Sequence, residues 1–176
     1  MSWSEELTRA MDRLAVNDQV IFVGQSTIYP GHLMYQTLKH IPEHKKLELP
    51  VIENTQLGLC LGLALSGLLP VCIFPRLDFL IIAADQLVNH LDKWASMGGG
   101  SPKIVVRSMP GSTNPIYSGP QHSGNYIQAL RLLCPHITVL KITQPEHVYS
   151  AYQRALEEPG PFILIEAPPK RMGYEG

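Results

Sequence analysis

The sequence predicts an α/β protein, a three-layer sandwich in which a mostly parallel sheet carries helices on both faces. Three observations lead there. Apolar runs rich in β-branched residues alternate along the chain with helical patterns. Those runs are continuously apolar rather than alternating in polarity, the signature of strands buried on both faces. And 176 residues, 45% of them hydrophobic, suit one domain with a sizeable core, here taken to span 1–176.

The elements follow in order. The opening stretch MSWSEELTRAMDRLAV reads as an amphipathic helix with Leu7, Met11 and Leu14 inward. Its early acids and lack of an apolar core argue against a signal peptide. VIFVG (20–24) is the first strand. A helix then begins near Asn54 in a stretch with no charge from Asn54 to Pro75. Such a run invites a membrane reading, but Gly67 and Pro70 end the helix after about three to four turns, too short to cross a bilayer. Gly58, Gly62 and Ser66 recur every four residues, a stripe that admits close packing within the fold or across a subunit contact. PVCIF (70–74) is a buried strand, Asp78 to Trp94 a helix, and MGGGSPK (97–103) the helix stop and turn rather than a phosphate loop, since it lacks GxxxxGK[ST]. KIVVRSM (103–109) is the next strand. A helix near Ser123 to Leu133, the strand ITVLKI (137–142), a helix near Pro145 to Leu156 and the strand PFILIEAP (161–168) complete the set.

Charge excludes some classes of function. A net charge of −1 with no basic tail or charge block gives no footprint for nucleic acid, and no segment calls for a membrane. Cys60, Cys72 and Cys134 stand in apolar contexts without paired spacing, as buried thiols in a reducing, cytoplasmic compartment do. The seven histidines show no ligand spacing, so no metal site is expected.

In an open parallel sheet, ligands gather beyond the carboxyl ends of the strands. Three loops lie there: GQSTIYPGH (24–32), FPRLDF (74–79) and SMPGSTNPIYSGPQHS (108–123), the last long and ending near His122. Glu53 stands alone at the mouth of the uncharged helix. The residues by themselves thus reach a candidate carboxylate and a candidate histidine, and no reaction.

Three matching pieces carry the reading further. E-x4-G-x3-G-x4-G-x2-P (Glu53, Gly58, Gly62, Gly67, Pro70), DFLIIAADQLVNHLDKWASMGGG (78–100) and QHS (121–123) occur in this order. Together they resemble the pyrimidine-binding domain of thiamine diphosphate enzymes of the transketolase group, above all the beta subunits of 2-oxo acid dehydrogenases. The likeness extends from the opening helix and VIFVGQ to the closing strand and its EAP.

The resemblance implies roles. Glu53 would hydrogen-bond the aminopyrimidine ring of the cofactor, sharing a proton with a ring nitrogen, a part that suits a carboxylic acid in an apolar wall. Gln25 would lie beside the cofactor, Phe79 would stack on the pyrimidine, and His122 would face the substrate and help to move a proton. Asp85, Gln86 and Asn89 match the family's DQ-x-x-N. The GDG motif with a following asparagine, by which relatives bind Mg2+ and diphosphate, is not among these residues, nor is the beta subunit's carboxy-terminal domain. A separate alpha-like chain is therefore expected to supply the diphosphate half, in a heterotetramer acting on a 2-oxo acid or a sugar phosphate. The alternatives are a subunit of a sulfopyruvate or phosphonopyruvate type of decarboxylase, and a non-catalytic binding remnant.

Overall fold

In the computed structural model, residues 1–111 and 119–168 are described. The amphipathic opening becomes α1 (Trp3–Ala15), started by a capping box in which Ser2 and Glu5 satisfy each other's backbone N–H groups. It buries Leu7, Met11 and Leu14, together with Trp3 and Ala10. Next come β1 (Val20–Gly24), α2 (Leu33–Leu38), β2 (Lys46–Glu48), α3 (Glu53–Leu65) and β3 (Leu69–Phe74). The chain continues with α4 (Leu77–Ile82), β4 (Val105–Ser108), α5 (Ile127–Leu133), β5 (Thr138–Ile142), α6 (Val148–Glu157) and β6 (Phe162–Glu166).

All six strands are parallel, in the order β2-β1-β3-β4-β6-β5. Alternate residues of each inner strand face opposite layers. Phe22, Val71, Ile73 and Leu164 pack under α1, α2 and α6, while Val23, Cys72, Phe74 and Ile163 pack under α3, α4 and α5. With both faces covered, β3 and β6 are buried at every position, and Leu69–Phe74 and Phe162–Ile165 are continuously apolar for that reason. The register brings the ends of neighbouring strands level to within one residue: Gly24 pairs with Glu48 and Ile73, Phe74 with Ser108, Ser108 with Ile165, and Ile142 with Glu166. Every functional loop therefore leaves the same edge.

Two expectations of the sequence are corrected. The helix expected from Asp78 to Trp94 is broken: α4 ends in a turn at Ala83, and Gln86–Leu91 forms a π-helical segment in which the Asp92 N–H reaches back to the Leu87 carbonyl. The widened segment lets Gln86 lie across Gly58 of α3, where a Cβ would stand 3.1 Å from its amide oxygen. Nothing comes within 4 Å of the Cβ position at Gly62. The helix expected from Ser123 begins instead at Ile127, because residues 120–122 form a separate short turn. The sequence reading also omitted α2 and β2. Among the described residues no helix is long and apolar enough to cross a membrane.

Under α2 and α6 lies a wholly buried polar network. Arg107 of β4 donates through Nε to Glu166 Oε1 (2.6 Å), through Nη2 to Glu166 Oε2 (3.3 Å) and through Nη1 to Thr37 Oγ1 (2.9 Å). The Tyr152 hydroxyl donates to the same carboxylate, and burial followed by the charge of Glu166 pushes that phenol well above its ordinary range. Each member is satisfied by another, which is what makes a buried charge tolerable. The network ties β4, β6, α2 and α6 together behind the site edge.

Candidate active site

The exit of β1 is shaped by a glycine. Gly24 has φ +142°, and a Cβ there would lie 2.3 Å from the Ile73 carbonyl oxygen, so only glycine fits. Beside it the buried Gln56 amide donates to that carbonyl at 2.8 Å. The loop beyond is gathered around one carboxylate. Glu48, the last residue of β2, accepts the backbone N–H groups of Ser26, Thr27 and Ile28 at 2.8, 2.6 and 2.8 Å, and the Thr27 hydroxyl at 2.6 Å. Ser26 sits at φ +60°, a left-handed conformation that this clasp holds in place. With the loop fixed, the Gln25 amide donates to Glu53 Oε1 at 3.3 Å.

Glu53 is the first residue of α3 and only 4% exposed. It stands in the first turn of the helix, where backbone N–H groups lack intrahelical partners. Gln56, Leu57, Cys60 and Leu61 follow it as a buried wall.

The second grouping lies past β3 and β4. Phe79 on α4 and His122 meet edge to face, with ring centroids 5.4 Å apart and planes at 80°. Both line a surface cleft of about 470 Å³ with Asp78, Ile81, Ile82, Gln121 and Tyr126. Among the described residues, His122 Nδ1 is buried there without a hydrogen-bond partner, as is Asp78 Oδ2. Unpaired polar atoms of this kind call for a ligand or water.

The structure thus brings Gln25 to Glu53 and Phe79 to His122, all four beyond the carboxyl ends of β1 to β4. Among the described residues no hydrogen bond or ring contact joins the two pairs. Part of the long loop, 112–118, falls outside the described residues. Asp85 and Asn89 bond each other (2.9 Å), and Gln86 packs on α3, so the DQ-x-x-N residues serve the π-helical segment. Sequence reasoning missed Glu48 and Asp78. Glu48 sits in a three-residue strand too short to register as one, and Asp78 lies inside FPRLDF, where the adjacent Phe79 drew attention.

His32 stands at the same edge, capping α2 by accepting the Met34 N–H on Nδ1 at 3.2 Å. Burial, then the charges of Arg76 and Arg107, lower its pKa from 6.5 to about 4. Between those values the unfolded chain binds the proton and the folded one does not, so stability falls as pH drops from about 6.5 to about 4. His32→Gln should remove up to about 3 kcal/mol of that loss. Denaturant titrations at pH 7 and 4.5 measure it; an unchanged pH dependence would refute it.

The family profile described as the transketolase pyrimidine-binding domain matches residues 1–170. The chain belongs to this family. The pyrimidine-binding domain found here is 27% identical, over 172 residues, to the mitochondrial pyruvate dehydrogenase E1 component subunit beta of Drosophila melanogaster, covering 94% of this chain and 46% of that protein. It is 28% identical over 178 residues to the corresponding protein of Saccharomyces cerevisiae, with the same coverage of 94% and 46%. The chain thus spans about half the length of the curated relatives it matches. Among solved structures, a split gene transketolase described as an inactive beta4 tetramer superposes with a TM-score of 0.70 at 14% identity, covering 94% of this chain and 49% of that one. A thiamin diphosphate-dependent enzyme described from Mycobacterium smegmatis gives a TM-score of 0.64 at 13% identity, covering 96% and 30%.

Proposed function

We propose that this chain is the pyrimidine-binding subunit of a split thiamine diphosphate-dependent enzyme. With a separate, alpha-like diphosphate-binding subunit it decarboxylates a 2-oxo acid, or transfers an acyl or ketol unit to another carbonyl. The observation that carries the reading is the solitary carboxylate of Glu53, buried at the head of an apolar helix on the ligand-binding edge and touched there by Gln25.

The residues present fit the cofactor's pyrimidine half. An aromatic heterocycle with a ring nitrogen needs a carboxylic acid to share its proton, an aromatic side chain to lie against and apolar walls. Glu53, Phe79 and the row Leu57, Cys60 and Leu61 are of those types. Bound there, the cofactor would supply the carbon nucleophile and the electron sink of the reaction. The protein's part is proton control. Glu53 holds the proton at the ring nitrogen, Gln25 keeps the carboxyl group aimed, and Glu48 fixes the loop from which Gln25 reaches. His122, with one ring nitrogen unpartnered among the described residues, moves a proton to or from the substrate.

Mg2+ and the diphosphate fall to the partner subunit, because no GDG motif stands among these residues. Two copies of each chain would form the assembly, with Gly62, open on the outer side of α3, admitting a close neighbour. We further place residues 1–176 in one structural unit and the protein in the cytoplasm, in keeping with its three free, buried cysteines. Calorimetry tests the split site. The isolated chain should bind thiamine diphosphate weakly or not at all, and the pair with its alpha-like partner tightly and only with Mg2+. Tight, Mg2+-dependent binding by the isolated chain would overturn the reading.

A further inference from the structure

His122 ends the short turn 120–122, and its ring is held by no hydrogen bond among the described residues, yet it meets Phe79 in a defined edge-to-face geometry. Something else must hold the turn. From α4, one residue before Phe79, Asp78 Oδ1 accepts the backbone N–H of Gly124 at 3.0 Å and the Tyr126 hydroxyl at 3.3 Å. Both donors lie just after His122 in the chain. The Ser123 hydroxyl closes the turn itself by donating to the Gly119 carbonyl at 2.9 Å. Tyr126 folds back over Gly124 so closely that a Cβ at Gly124 would lie 2.2 Å from the tyrosine ring.

We infer that Asp78 is a positioning residue: by clasping Gly124 and Tyr126 it sets the His122 ring against Phe79 and aims it into their shared cleft. The consequence for turnover rests on the proton-transfer role proposed for His122; the clasp itself does not. Phe79 comes from α4, after β3, and His122 from the loop after β4, and the Asp78 contacts are side-chain hydrogen bonds that cross from one to the other. The charge of Asp78 also raises the Tyr126 phenol above its ordinary pKa, in keeping with a carboxylate beside it.

The test is nuclear magnetic resonance of the His122 ring protons in the full chain, which the Phe79 ring current displaces. Phe79→Leu supplies the undisplaced reference. Asp78→Ala should move the His122 resonances toward that reference. Asp78→Asn, which keeps an oxygen for both donors, should leave them near the wild-type position. Gly124→Ala, which drives the tyrosine ring away without touching Asp78, should act as Asp78→Ala does, and carries the test if Asp78→Ala fails to fold. Wild-type His122 resonances in a folded Asp78→Ala or Gly124→Ala chain would overturn the inference, as would Asp78→Asn behaving like Asp78→Ala. In the reconstituted pair, Asp78→Ala should lower kcat by roughly 10- to 100-fold with KM little changed. If the resonances move while kcat does not, the clasp stands and the role of His122 fails.

Discussion

Glu53→Gln is expected to slow deuterium exchange at the thiazolium carbon of thiamine diphosphate bound to the reconstituted pair by about a hundredfold to ten-thousandfold. Fold and assembly should persist. Glutamine matches glutamate in size, and at the head of α3 its amide can still hydrogen-bond Gln25, whose own amide lies 3.3 Å from the carboxylate it replaces. What glutamine cannot do is give and take a proton at the cofactor's ring nitrogen. Exchange at the thiazolium carbon reads that step before any substrate enters, so it separates activation from substrate binding. Exchange as fast as in the wild type would leave Glu53 a buried polar residue, and the proposed mechanism would fall with it.

His122→Ala is expected to have the second large effect, on turnover. Loss of a general acid–base group costs about a hundredfold to ten-thousandfold. The ring lies in the open cleft beside Phe79 rather than against Glu53. Cofactor affinity of the pair, measured by calorimetry, should therefore stay within a few-fold of wild type while kcat falls. Deuterium exchange at the thiazolium carbon should also be preserved, the opposite of the Glu53→Gln result. A near-normal rate would reduce His122 to a residue that merely fills its turn. Those two outcomes together would assign activation to the wall of α3 and substrate chemistry to the cleft past β4.

How legible the fold was depended on burial. The inner strands and α1 announced themselves, because a strand buried on both faces is apolar at nearly every position and an amphipathic helix must repeat its apolar face. β2 did not, because Lys46–Glu48 is three residues long, pairs on one side only and needs no apolar face. The break at Ala83 and the π-helical turn after it were equally silent. They go with the contact of Gln86 with Gly58, which lies on a different helix.

The candidate site divides the same way. Glu53 was legible as the one carboxylate at the mouth of a long uncharged run, and Phe79 and His122 through the pieces FPRLDF and QHS. The residues that aim them were not. Glu48 reaches back twenty or more residues to the loop of Gln25, and Asp78 reaches forward more than forty to Gly124 and Tyr126. The charge pair Arg107 and Glu166 is separated by 59 residues.

By itself the sequence determined the family, the parallel sheet and the residue types of the chemistry, since burial period and local motifs are written in contiguous residues. Only the tertiary structure decided which loops share an edge, which side chains hold them and which polar atoms are left facing the cleft. Those depend on hydrogen bonds between strands and loops far apart in the chain, and a side chain's partner across such a distance leaves no periodic signal in the residues beside it.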